Sequence, residues 1–326
     1  MSGNREDLVV PLRLCGFARG IIGKKYFQVI FVFFTLLLLP AAVFFCRKPV
    51  VLVGDRAFDA IYGEKRAEYS RFALSLRFFR PIKTIAMVPG AGPDLVCQGA
   101  ISLSRRPFAV FFPYRYREAA GRYLQARPGA AVAVLAGREL PDEGAGYDSG
   151  EPGLPLWFFT DTETDLRRAG AFAGVFARFC LQNPVLNEDG IVQTTQKVAV
   201  FYDKLSETEK AAFKAGLENQ GYTPQPLFLA DPPEEQIACA VLIDSFQAVS
   251  DWSAESLIIF SWLDPAMAPG RALAIFDDSP WAVLGPALIM INKEKPLNLV
   301  PSTIIVKRGD KTRKALYYEI NKLKTL

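Results

Sequence analysis

Histidine does not occur anywhere in this chain of 326 residues. Its absence removes the commonest general base near neutral pH, and with it the Ser-His-Asp and Cys-His machineries and nearly every catalytic zinc site. Nucleophile elbows, phosphate loops and metal motifs are missing too, so the residues point away from an enzyme, and no cofactor or metal is expected. Cysteine is sparse, with five in all. Cys97, Cys180 and Cys239 form an odd set at wide spacing, which is no disulfide framework. Cys180 lies in AFAGVFARFC and Cys239 in IACAVLI, both apolar and read as helical, so buried free thiols are expected. No basic stripe with interleaved aromatics runs through the middle, which argues against nucleic acid. The net charge of +4 is a weak bias, and much of the excess lies at the two ends.

What is present is apolar bulk. Half of the residues are apolar and 22% are charged, enough to bury a sizeable core. At ~100–200 residues per domain, the length fits one large domain or two lobes once an anchor is set aside. That anchor is the stretch Tyr26–Cys46, YFQVIFVFFTLLLLPAAVFFC, which carries no charge. At ~1.5 Å per residue it is long enough to span a hydrocarbon core of ~30 Å. Arg5, Arg13, Arg19, Lys24 and Lys25 precede it and only Arg47 and Lys48 follow closely, so residues 1–25 are expected in the cytoplasm and the remainder outside. Two other readings stay open: a cleaved export signal at LPAAV, and a lipoprotein lipidated at Cys46. All three place the main domain outside the cytoplasm, on an inner (cytoplasmic) membrane and facing the periplasm or exterior.

Beyond the anchor, ten short apolar runs alternate with helical patterns, from Val50–Val53 and Thr84–Val88 to Ala272–Phe276 and Ser302–Val306. Continuous β-branched and aromatic runs suit strands buried on both faces of a parallel sheet. Among the helices, Thr164–Leu181 is rich in small residues, and Ser206–Gln220 opens on Ser206 with Glu209 three residues later, a capping box, and stops at Gly221. The alternation predicts a doubly wound α/β architecture. A first lobe is expected over 47–163 and a second over 164–326, ending in a closing strand and an amphipathic basic helix. Gly137–Leu154 reads as a Gly/Pro/acid-rich loop.

Three segments carry a family resemblance. LWFFTDTETDLRRAGAFAGVFARF, KVAVFYDKLSETEKAAFKAGLENQGY and SLIIFSWLDPAMAPGRALAIFDDS, followed by LVPSTIIVKRGD, resemble in order the lobe crossover, second-lobe opening, Asp turn and closing strand of type I periplasmic-binding proteins. That superfamily includes sugar-binding proteins, nucleoside-binding lipoproteins and the sensor domains of lactose-repressor-like regulators. The resemblance spans roughly residues 50–310. It implies two-lobed doubly wound parallel sheets after one N-terminal transmembrane helix, and a sugar or nucleoside held in a cleft between the lobes. A transporter permease or an envelope signalling protein is the implied partner.

Carried over by motif, Asp277 of IFDD matches the aspartate that binds ligand hydroxyls. Asp264 matches the turn after Leu257–Ser261, Arg138 the arginine after the fourth strand, and Asp161 the crossover aspartate. Asp55 and Phe58 follow the first strand and face the cleft in this reading. Trp262 and Trp281 are candidates for stacking on a ring. Asp161 and Asp165, four apart at a helix start, read as capping acids rather than an acid–base pair. A protein of this fold that keeps no ligand and serves only as an envelope interaction partner is the alternative function.

Overall fold

A computed structural model of the chain describes residues 24–138, 154–182, 197–202, 205–222, 225–231, 237–243, 254–260, 268–291 and 297–306, with 318, 322 and 323. Helix α1 (Lys24–Cys46) runs unbroken through Pro40. Apart from the half-buried Phe44, its described apolar side chains, among them Phe31, Phe33, Leu38 and Phe45, are exposed. Over the described residues alone, no helix is long and apolar enough to cross a membrane.

Two six-stranded sheets follow. The first contains β1 (Val50–Asp55), β2 (Ile82–Met87), β3 (Ala109–Pro113), β4 (Val132–Gly137), β5 (Leu156–Thr160) and β11 (Leu297–Val300), in the order β11-β5-β4-β3-β1-β2. Every pairing in it is parallel. The second contains β6 (Val198–Phe201), β7 (Leu227–Leu229), β8 (Ile237–Ile243), β9 (Ala254–Phe260), β10 (Ala272–Asp277) and β12 (Thr303–Val306), in the order β12-β10-β9-β8-β6-β7. Here β12 alone is antiparallel, against β10. Central strands such as β1, β8 and β10 are buried along nearly their whole length, and described helices cover both faces of β1.

The division at 163/164 is corrected by the strand pairing. The chain enters the second lobe after β5 through α6 (Thr162–Gln182), but it returns after β10. Helix α8 (Pro280–Met290) packs its apolar side chains into the first lobe, and β11 pairs with β5 there, before the chain crosses once more to β12. The interlobe junction is therefore built from three passages of the chain, at 161, 278 and 301.

Local sequence explains the elements. Helix α7 (Glu207–Glu218) has the predicted capping box, with the Ser206 side chain accepting from Glu209 N and the Glu209 carboxylate accepting from Ser206 N. Its end meets Gly221 at φ 72, where a glycine is unstrained. Helices α6 and α7 touch at Gly170 and Gly216. A Cβ on Gly216 would run into the Arg167 carbonyl, and one on Gly170 into the Phe213 carbonyl.

Two elements depart from expectation. The run around Cys239 is a central strand, not a helix, because a fully buried strand and a buried helix segment look alike in periodicity. Strand β11 was not foreseen at all. Cys97, Cys180 and Cys239 are buried free thiols, and burial pushes the Cys239 thiol far up. Most of the basic tail helix and most of the Gly137–Leu154 loop lie outside the described residues.

Candidate functional site

The first sheet ends in a cavity of about 680 Å³. Its floor is formed by the carboxyl halves of β1, β2 and β4, and its wall by α2 (Arg56–Tyr62) and α3 (Glu64–Phe78). Pro280 and Trp281 at the start of α8, with Asp278 just before it, close the side toward the crossover. A crevice at the carboxyl ends of parallel strands is where doubly wound sheets bind ligands.

Asp55 terminates β1 and caps α2, accepting from Ala57 N at 2.8 Å. Its other oxygen accepts from Arg115 Nη1 at 2.5 Å and from the Tyr116 hydroxyl at 3.4 Å. The Asp55 side chain is 9% exposed and that of Arg115 58%, so the pair runs from the buried strand end to the open rim of the cavity. Phe58 stacks on Tyr62 with ring centroids 5.2 Å apart. Asp59, inside the cavity, has its carboxyl pushed up by burial and then by the neighbouring Asp55 and Glu64. The lining thus mixes acids and arginines with the aromatic side chains of Phe58, Tyr114 and Trp281, the equipment for hydroxyl-rich rings.

A second polar group sits at the crossover. Asp277, 3% exposed at the end of β10, accepts from Arg66 Nη2 at 2.5 Å and from Ser279 N at 3.0 Å. Burial raises its carboxyl against the opposing pull of Arg66. Arg66 also lies over the Tyr62 ring at 4.0 Å. Arg138 Nη2 is 3.2 Å from Asp278 Oδ2, a charge contact without hydrogen-bond alignment, and its guanidinium covers the Phe260 ring at 4.5 Å. Asp165, fully buried on α6, accepts Ser302 N on both oxygens at 3.1 Å; burial raises its carboxyl to about 7. The Asp165–Ser302 bonds join the passages at 161 and 301, while Arg66 and Arg138 fasten the passage at 278 to the first lobe.

Asp55, Phe58 and Trp281 therefore line the cavity. Arg138 and Asp277 do not, since each is held at the lobe junction by an opposite charge. Asp161 caps α6, accepting from Thr164 N at 3.1 Å and Thr164 Oγ1 at 2.8 Å, and stays away from the cavity. Trp262 and Asp264 lie outside the described residues. Sequence reasoning missed Arg115 and Arg66. Arg115 follows β3 in FFPYRYR, a strand-end position that could have singled it out. Arg66 meets a partner 211 residues away and leaves no local signal. Among the described residues no cluster of potential ligands could hold a metal ion.

No protein-family model matches the sequence, and no curated protein matches it. Solved structures do. An ABC transporter system solute-binding protein from Aeropyrum pernix K1 superposes with a TM-score of 0.50 at 8% identity, over 86% of this chain and 90% of that one. The chain has the type I periplasmic-binding-protein fold. A solute-binding protein of an ABC transporter system from Conexibacter woesei DSM 14684 aligns over 85% of this chain and 95% of its own, at 13% identity and a TM-score of 0.49. One from Actinobacillus succinogenes 130z, solved with D-allose, aligns over 80% and 98% at 12% identity and a TM-score of 0.44.

Proposed function

We propose that this chain is a membrane-tethered, extracytoplasmic solute-binding or sensing protein that takes a small polar ligand of the sugar or nucleoside class. The observation that carries the reading is the cavity at the carboxyl ends of the first sheet, where Asp55 and Arg115 face Phe58 and Trp281. Carboxylate and guanidinium satisfy ligand hydroxyls, and the aromatic faces cover the ring. Closure of the second lobe over the cavity shields those hydrogen bonds from water. The fold is shared with a protein named as a solute-binding component of an ABC transporter system, which supports delivery to a permease or a report to an envelope partner. Tethering is supported by the uncharged stretch Tyr26–Cys46, which lies within one helix.

A second reading, a ligand-free envelope interaction protein, is favoured by one observation: Asp277 and Arg138 each face an opposite charge at the lobe junction instead of the cavity. Thermal unfolding of the full chain in detergent, screened against sugars, nucleosides and amino acids, separates the two. A ligand at ~100 times its dissociation constant adds ~2.7 kcal/mol to stability, a visible rise in melting temperature. The proposal expects such a rise, diminished in Trp281→Leu. A folded chain whose melting is indifferent to the whole library supports the second reading.

A further inference from the structure

The starts of the first-lobe strands lie opposite the cavity, brought to one edge by the parallel register, with Val50 beside Ile82 and Ala109, and Val110 beside Val132. The described connections entering β1, β2, β3 and β4, at 47–49, 79–81, 104–108 and 127–131, carry Arg47, Lys48, Arg80, Arg105, Arg106 and Arg127 and no Asp or Glu. All are exposed except the half-buried Arg80. Bonds to main-chain carbonyls hold them together. Phe108 N donates to the Pro49 carbonyl at 2.7 Å, Arg80 Nη1 to the Lys48 carbonyl at 3.3 Å, and Arg127 Nη1 to the Arg105 carbonyl at 3.5 Å. Among the described residues, none of the six is ion-paired with a carboxylate. Arg80 is held below the usual guanidinium range, first by its burial and then by the charge of Arg47. Asp55, Asp59, Glu64 and Glu68 of this lobe sit at the other end, around the cavity. Among the described residues, the starts of β1, β2, β3 and β4 carry positive side chains and no acid, opposite the acids around the cavity.

Helix α1 leaves through that same end. It stops at Cys46, three residues before β1. Phe44 meets the Phe79 ring edge-on at 5.6 Å, and Arg47 lies over that ring at 5.2 Å. An apolar helix emerging through a basic collar fits a bilayer with anionic headgroups better than any other polyanion, since only a bilayer matches both chemistries.

We propose that this basic pole rests on an anionic phospholipid surface, with Arg105, Arg106 and Arg127 against headgroup phosphates, so that the first lobe stands on the membrane and its cavity faces away. The position of α1 rests on the tethering reading above; the charge of the pole does not. The test adds the full-length chain to phosphatidylcholine vesicles and to vesicles that also contain phosphatidylglycerol, and reads flotation together with backbone hydrogen exchange. The proposal expects flotation with both, and severalfold slower exchange over 104–108 and 127–131 on the anionic vesicles alone. High salt removes that protection, because the screening length falls to ~3 Å at 1 M. The triple variant Arg105→Gln/Arg106→Gln/Arg127→Gln removes it too, while exchange in the β-strands stays as in the parent and shows the fold intact. Equal exchange on both vesicle types, with the chain floating, overturns the contact and leaves the tether standing. A chain that does not float with neutral vesicles overturns the tether, and loop protection on anionic vesicles then still upholds the basic pole.

Discussion

Asp165 shows how one buried side chain can set the pH response of a lobe junction. Its folded-state pKa of about 7 lies well above the ~3.9 of an unfolded aspartate, because desolvation outweighs the Ser302 amide and the charges of Arg138 and Arg168. The folded protein therefore binds more protons than the unfolded one between these values. Its contribution to stability is complete below pH ~4 and is lost as pH rises to ~7, a change on the order of a few kcal/mol. Urea melts at several pH values should show this fall, and Asp165→Asn should flatten it; an unchanged slope in the variant would assign the dependence to other groups. Asp55 makes a second residue-scale case. Asparagine caps a helix as well as aspartate does, so Asp55→Asn should keep α2 and the fold within ~0.5 kcal/mol by urea denaturation while discarding the ion pair to Arg115.

Among the elements, the crossing of α6 and α7 depends on two glycines in opposed backbones. Gly216→Ala places its methyl against the Arg167 carbonyl, and the helices must separate or bend. Such overpacking costs ~1–3 kcal/mol by denaturant melting. Gly121 sits in α5 (Arg117–Ala126) with open space around it, so Gly121→Ala should instead add ~0.5–1 kcal/mol. If the two substitutions had equal effects, close backbone approach would not be what selects glycine at Gly216. The alternation of strand and helix was legible because buried parallel strands are continuous apolar runs, and the capping box at Ser206 was legible because its spacing is local. The return of α8 and β11 to the first lobe was not, since LNLV has no length or period to distinguish it and its partner β5 lies far back in the chain. At the site, Asp55, Phe58 and Trp281 were reachable from their places just after strand ends. The Arg66–Asp277 and Arg115–Asp55 pairs were not, because ion pairs between distant segments are decided by the fold.

For the whole molecule, the two lobes are joined by charge as well as by chain. Arg66 on α3 holds Asp277 at the end of β10, and Arg138 after β4 faces Asp278. Cutting the first pair with Arg66→Gln should let the lobes separate, seen as a larger radius of gyration by small-angle scattering. An unchanged radius would mean that packing alone fixes the lobe angle. Among the described residues, the first lobe is acidic about the cavity and basic at the starts of β1 to β4, a polarity that gives it an orientation in any anionic field. Ligand binding in the proposed mode requires the cavity at the carboxyl ends of the first sheet. Its direct test is calorimetric titration of a ligand found by melting-temperature screening into the full chain, the Asp55→Asn variant and the Asp161→Asn variant, whose site is a helix cap outside the cavity. Heat of binding retained by Asp161→Asn and lost or weakened at least tenfold, ~1.4 kcal/mol, by Asp55→Asn is the predicted result. Equal binding by all three proteins would place the ligand elsewhere and contradict the account.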